Sequence, residues 1–144
     1  MGRVLGIDVG ERRVGLAVSD PTGTLARPLA TLSVAGSEDA VARVKLEIDR
    51  LAAEDDGLTS VVVGRPSSLD GSPTAQTGRV EAFITALAGR TTLPVVWMDE
   101  RLTSREAESR LAIRERDWRR RKQRLDAAAA AVILQDYLDR ERSG

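Results

Sequence analysis

RVLGIDVGERRVGLAVSD, running from Arg3 to Asp20, reads as two strands joined by a short turn. Arg3 to Gly10 is the first strand, Glu11, Arg12 and Arg13 make the turn, and Val14 to Asp20 is the second strand. So short a gap between two apolar runs predicts an antiparallel hairpin. Pro21 and Gly23 mark the next turn, and the alternation from Leu29 to Val34 predicts a third strand. The chain therefore opens as a three-stranded meander.

The period then changes. Val41, Val44, Ile48 and Leu51 fall three or four residues apart, the spacing of an amphipathic helix. Ser37 is its expected N-cap, and Glu38 and Asp39 occupy a first turn where the helix dipole favours acids. Ser60 to Gly64 is a short apolar strand, of the kind buried on both faces. The loop Arg65 to Pro73 leads to a second helix with Val80, Phe83, Ile84 and Leu87 in one stripe, closed by Gly89. Val95 to Met98 reads as another buried strand. Thr103 and Glu106 form the capping box of a third helix, with Ala107 and Leu111 on its inner face. A final helix is expected from about Asp126 to Arg140, carrying Ala130, Ile133 and Tyr137 towards the sheet. Three meander strands followed by alternating helices and strands predict an α/β fold, a mixed five-stranded sheet with helices on both faces. The parallel units should grow on the side of the first strand opposite the meander. In open sheets of this kind the ligand site lies at the carboxyl ends of strands near that switch.

Composition narrows the chemistry. The 144 residues contain no cysteine and no histidine. Disulfides, thiolate zinc sites, imidazole bases and histidine-ligated metals are excluded. What remains is carboxylates, hydroxyls, Arg and Lys, with a hard, oxygen-ligated cation such as magnesium or manganese as the natural helper. The length fits one domain, 1–144. No apolar run is long enough to cross a membrane and no signal-peptide pattern opens the chain, so a soluble, cytoplasmic protein is expected.

Charge is balanced overall, 22 basic against 22 acidic residues, but not along the chain. Residues 101–124 hold ten Arg or Lys and four Asp or Glu. Seven of those basic residues fall between Arg114 and Arg124. A solvated, salt-bridged face is the ordinary explanation of such a run; a loop that binds a polyanion is the sharper one.

Three places carry candidate chemistry. Asp8 interrupts an apolar strand and shares a face with Val4 and Gly6, where an unpaired carboxylate is costly. Gly6 and Gly10 beside it permit close approach of a backbone or a phosphate. Asp99 and Glu100 end the fifth strand on opposite faces, so only one can readily face Asp8. Asp126 starts the last helix, either as an N-cap or as an acid turned towards the sheet. Together the acids suit a hard-metal site, and two ions in such a site can activate water against a phosphodiester. A cationic run ending beside the third acid points to a nuclease.

GIDVGERRVGLAVSD, VVVGRPSSLDGS, WMDERLTSREAE and RLDAAAAAVILQDYL jointly resemble the YqgF family, Holliday-junction-resolvase-like proteins linked to maturation of the small-subunit ribosomal RNA precursor. The resemblance covers nearly the whole chain. It implies a ribonuclease H-like fold and a divalent-metal site, Mg2+ or Mn2+, with Asp8, Glu100 and Asp126 as catalytic and metal-binding acids; Asp99 belongs to the same matched motif as Glu100. Arg119, Arg120, Arg121, Lys122 and Arg124 are the expected substrate-binding residues, and Trp118 either offers a stacking platform for an unpaired base or packs its own loop against the domain. The expected partner is nucleic acid, either precursor rRNA, bare or in ribosomal precursor particles, or branched DNA, bound by a monomer or homodimer. Two other readings compete. The opening hairpin is similar to the phosphate-binding hairpin of the actin, sugar-kinase and chaperone ATPases, although those clamp a nucleotide between two such domains. A non-catalytic RNA-binding ribosome-assembly factor would keep the fold without the cleavage.

Overall fold

The computed structural model describes residues 2–66, 72–99 and 118–143, the last segment with side chains from 126 to 142. Five strands form one sheet: β1 (Arg3–Val9), β2 (Arg13–Ser19), β3 (Ala26–Ser33), β4 (Leu58–Arg65) and β5 (Val95–Asp99). Their order is β3-β2-β1-β4-β5. β1 pairs antiparallel with β2 and parallel with β4, and β4 pairs parallel with β5. The topological switch therefore lies at β1, as the meander predicted, and the carboxyl ends of β1, β4 and β5 share one edge.

Helices α1 (Ser37–Ala52) and α2 (Ala75–Ala88) cover one face. Leu5, Ile7, Val14, Leu16, Val61 and Val63 meet Val41, Val44, Ile48, Leu51, Val80, Phe83 and Leu87 there, all buried. Helix α3 (Trp118–Ser143) covers the other, where Val4, Ala17, Val62 and Met98 meet Ala130, Ile133, Leu134 and Leu138. Arg3, itself buried, ties the start of β1 to the end of α1. Its guanidinium donates to the carbonyls of Leu51 and Gly57 and to Glu54 Oε1.

Four local expectations change. β3 begins at Ala26 rather than Leu29, because its pairing with β2 continues to Ser19 opposite Ala26. Pro28 looks like a strand breaker, but β3 is a sheet edge, where a missing N–H is tolerated. Gly36, with φ of 107°, is the N-cap of α1, and Ser37 is its first helical residue. No side chain caps α1 by a hydrogen bond; Asp39 in its first turn instead accepts the N–H of Ala35, just before the helix, on Oδ2 at 2.8 Å. β5 is the other edge of the described sheet, and Trp97 is 55% exposed rather than buried.

The last helix starts at Trp118, not at Asp126. Arg119 to Arg124 therefore belong to a helix rather than a loop, and Asp126 lies in its interior, which removes the N-cap reading. The physical reason is propensity. Arg, Lys, Gln and Leu upstream of Asp126 are strong helix formers, and nothing there breaks the helix. The helix expected around Thr103 to Leu111 lies outside the described residues.

Candidate active site

Asp8 sits one residue from the carboxyl end of β1, directly opposite Gly15 on β2. Residues directly opposite in an antiparallel pair project to the same face. Asp8 thus shares the α3 face with Val4 and Gly6, as alternation predicted. Gly15 is where α3 touches down. A Cβ built on Gly15 would overlap the carbonyl oxygen of Asp126 and lie 2.9 Å from the Ala127 nitrogen. Further along, a Cβ on Gly6 would lie 2.7 Å from Leu134 Cβ and 3.1 Å from the Ala130 carbonyl. These two glycines let the helix backbone rest almost on the sheet. The space beside Gly6 is thus filled by a helix and not left for a phosphate. The result is that Asp126 on α3 lies over the β1–β2 ladder, next to the position from which Asp8 projects.

The turn between β1 and β2 supplies the third member. Gly10 N–H donates to the Arg13 carbonyl at 2.8 Å, and a Cβ at Gly10 would lie 2.6 Å from that oxygen. Close approach at Gly10 is therefore a feature of the turn itself. The tight closure sets Arg13 at the start of β2, where its Nε lies 3.2 Å from Asp126 Oδ2. That oxygen is buried, in a side chain of intermediate exposure. Sequence reading missed Arg13 and Gly15. The first was hidden among three charged turn residues; the second carried a signal, since a glycine inside a strand marks a close backbone approach.

The strand-end acids separate by face. Met98 packs with the α3 side and Val95 with the α1–α2 side. Asp99 follows Met98 and lies opposite Arg65 on β4, so alternation places it on the α1–α2 face, away from Asp8. Glu100 lies outside the described residues, and among those described no three acids come together. The donors present, Asp8 and Asp126, are oxygen ligands in a chain without imidazole or thiol, which fits a hard divalent cation and no softer one.

The direction of α3 sets the basic run. Asp126 lies over Gly15, Ala130 and Leu134 over Gly6, and Leu138 packs in the cluster with Val4. The helix thus runs antiparallel to β1, and residues 118–125 carry it on past Asp126, towards the carboxyl-edge side of the sheet, for about 12 Å. The backbone positions of Arg119, Arg120, Arg121, Lys122 and Arg124 all fall on this extension.

The carboxyl end of β4 is also braced. Thr77 Oγ1 on α2 donates to the Pro66 carbonyl at 2.7 Å. Arg65 donates through Nε and Nη2 to Glu81 Oε1, at 3.0 and 2.8 Å.

The model of a family described as "RuvX: Holliday junction resolvase" matches residues 2–140. A protein of Chloroflexus aggregans named "Putative pre-16S rRNA nuclease" is 42% identical over 97% of this chain and 95% of its own length. One of the same name from Clavibacter sepedonicus is 43% identical over 99% of this chain and 86% of its own. Among solved structures, RuvC of T. thermophilus in complex with a Holliday junction matches with a TM-score of 0.56 at 15% identity, covering 99% of this chain and 96% of that one. The fowlpox virus Holliday junction resolvase matches with a TM-score of 0.55 at 10% identity, over 96% of this chain and 99% of that one. At such identities these likenesses speak for the fold alone, the ribonuclease H-like α/β sheet.

Proposed function

The chain belongs to the RuvX family, and from that membership we propose that it is a metal-dependent nuclease hydrolysing phosphodiester bonds in the precursor of small-subunit ribosomal RNA. The observation that carries the reading is the approach of α3 to the β1–β2 hairpin, which brings Asp126 alongside Asp8. Residues 1–144 act as one catalytic domain, in the cytoplasm where its substrate is made. No helix among the described residues is long and apolar enough to cross a membrane.

Asp8 and Asp126 hold a divalent cation, magnesium or manganese, and Glu100 is the third acid. Glu100 is preferred to Asp99 because Asp99 falls on the far face of β5. A cation bound there supplies a Lewis acid for the phosphoryl oxygens and an activated water. Arg13 pairs with the Asp126 carboxylate and orients it. Arg119, Arg120, Arg121, Lys122 and Arg124 grip substrate phosphates along the extension of α3, positioning the chain without reading its sequence. The family description favours a second substrate, a four-way DNA junction, which the same acids would serve.

The test is a cleavage assay on a precursor rRNA fragment and on a four-way DNA junction, each with magnesium or manganese. We expect metal-dependent cleavage of the RNA, lost by more than about a hundredfold in a folded Asp8→Asn protein. Cleavage of the junction alone would move the assignment to branched DNA. Binding without cleavage by a folded wild-type protein would make it an assembly factor.

A further inference from the structure

A large aromatic ring stands in water at the rim of the sheet. Trp97 is 55% exposed on β5, between Val96, which packs towards α3, and the buried Met98. The other large exposed apolar side chains among the described residues, Leu25 and Leu46, sit before β3 and on α1. Leu25 is thus at the opposite edge of the sheet, and among the described residues Trp97 stands apart from the other large exposed apolar side chains.

The ring is held in place. The Arg65 guanidinium lies over it, 5.1 Å from the ring centroid. Arg65 is fixed in turn by two hydrogen bonds to Glu81 Oε1 on α2. Planar cation over aromatic ring is a favourable stack. With Arg65 over the indole and more than half of the residue in water, the ring offers exposed aromatic surface to a flat partner. The bonds to Glu81 use Nε and Nη2, leaving Nη1 outside them.

Position suggests the partner. Trp97 lies in the strand row of Ile7 and Val63, one residue before the row of Asp8, near the carboxyl edge of the sheet but on its α1–α2 face, across the sheet from Asp8. Two strand spacings, about 10 Å, separate β1 from β5. A nucleic-acid strand with a phosphate at Asp8 would meet the ring only by rounding the β5 edge, the described edge of the sheet, onto the α1–α2 face. Bases in a duplex already stack on their neighbours; an unpaired base has a face to offer.

We infer that Trp97, backed by Arg65 and Glu81, is a stacking platform for an unpaired base of the substrate. This rests on the nuclease reading above, and it makes Trp97 a residue that selects single-stranded or flanking unpaired segments over continuous duplex. Rigid backing favours such a role, because the ring loses little freedom on binding.

The test is binding in metal-free buffer, where cleavage plays no part. A Trp118→Phe background leaves Trp97 as the only tryptophan. A short oligouridylate should quench its fluorescence, and a blunt RNA duplex of the same length should quench it far less. Trp97→Ala should weaken oligouridylate binding about tenfold, Trp97→Phe should restore most of it, and duplex affinity should be unchanged. Equal oligouridylate affinity in wild type and Trp97→Ala would overturn the proposal. So would a change in self-association on Trp97→Ala with oligonucleotide affinity intact, which would assign the ring to a protein contact. Cleavage is scored separately with metal present. A protein that stacks but never cleaves overturns the nuclease reading and keeps the platform. One that cleaves equally well with Trp97→Ala, at unchanged affinity, does the reverse.

Discussion

The two faces of the sheet are built from different residues for different ends. Towards α1 and α2 the strands present Leu5, Ile7, Leu16, Val61 and Val63, and the helices answer with Ile48, Leu51, Phe83 and Leu87. Large side chains hold those helices off the sheet and bury a broad apolar layer. Towards α3, β1 and β2 present Gly6, Gly15 and Ala17, and the helix answers with Ala127 and Ala130. Glycine and alanine at that contact let the helix backbone come close enough to set Asp126 beside Asp8. One face supplies stability through bulk. The other gives up bulk to fix a geometry.

The largest effect should come from filling the close approach. In Gly15→Ala the new Cβ overlaps the Asp126 carbonyl, a backbone atom that can move only if α3 moves. Cleavage should fall more than about a hundredfold, because displacement of around an ångström in an active site is enough for that. Circular dichroism should show that the sheet still forms. Wild-type cleavage by Gly15→Ala would mean that α3 can shift without disturbing the site.

Leu87→Ala tests the opposite face. Its side chain is fully buried in the apolar cluster on the α1–α2 side of the sheet, so removal should cost about 2–5 kcal/mol of stability in a urea titration. Cleavage per folded molecule should be unchanged. Gly6→Ala should lie between the two. Its Cβ would press on Leu134 Cβ and the Ala130 carbonyl, costing about 1–3 kcal/mol as overpacking. Because Gly6 lies further from the acids than Gly15, its loss of cleavage should be the smaller.

The comparison also shows what could be read beforehand. The meander, the change of period at Val41 and the switch at β1 follow from alternation and spacing, which are local and strong signals. Asp8 was legible because a carboxylate inside an apolar strand needs an explanation. Asp126 was legible as an acid but not as a helix-interior residue, since Asp before an alanine run imitates a helix start. The exposure of Trp97 was hidden, because VVWM reads as buried and only the strand order makes β5 an edge. The Arg13–Asp126 pair spans most of the chain, and no local pattern announces it.

The smallest effect concerns pH and the α1–α2 side. Glu54 accepts a hydrogen bond from Arg3, which holds its carboxyl below the usual value, with Arg50 adding to the effect. A depressed folded pKa stabilises above the unfolded carboxylate value and is lost as the pH falls through the folded one. Glu54→Gln should therefore leave a slightly flatter loss of stability below about pH 4.3, and no change in cleavage at neutral pH. A neutral-pH loss of cleavage in this variant would show that the two faces are coupled.

The claim on which all of this depends is that Asp8 and Asp126 hold one cation between them. Manganese binding, followed by calorimetry or by electron paramagnetic resonance, tests it without needing a substrate. Asp8→Asn and Asp126→Asn keep side-chain shape and remove one charge each. Both should bind manganese at least about tenfold more weakly than wild type while keeping its far-ultraviolet dichroism. Wild-type affinity in both variants would place the cation elsewhere and contradict the account.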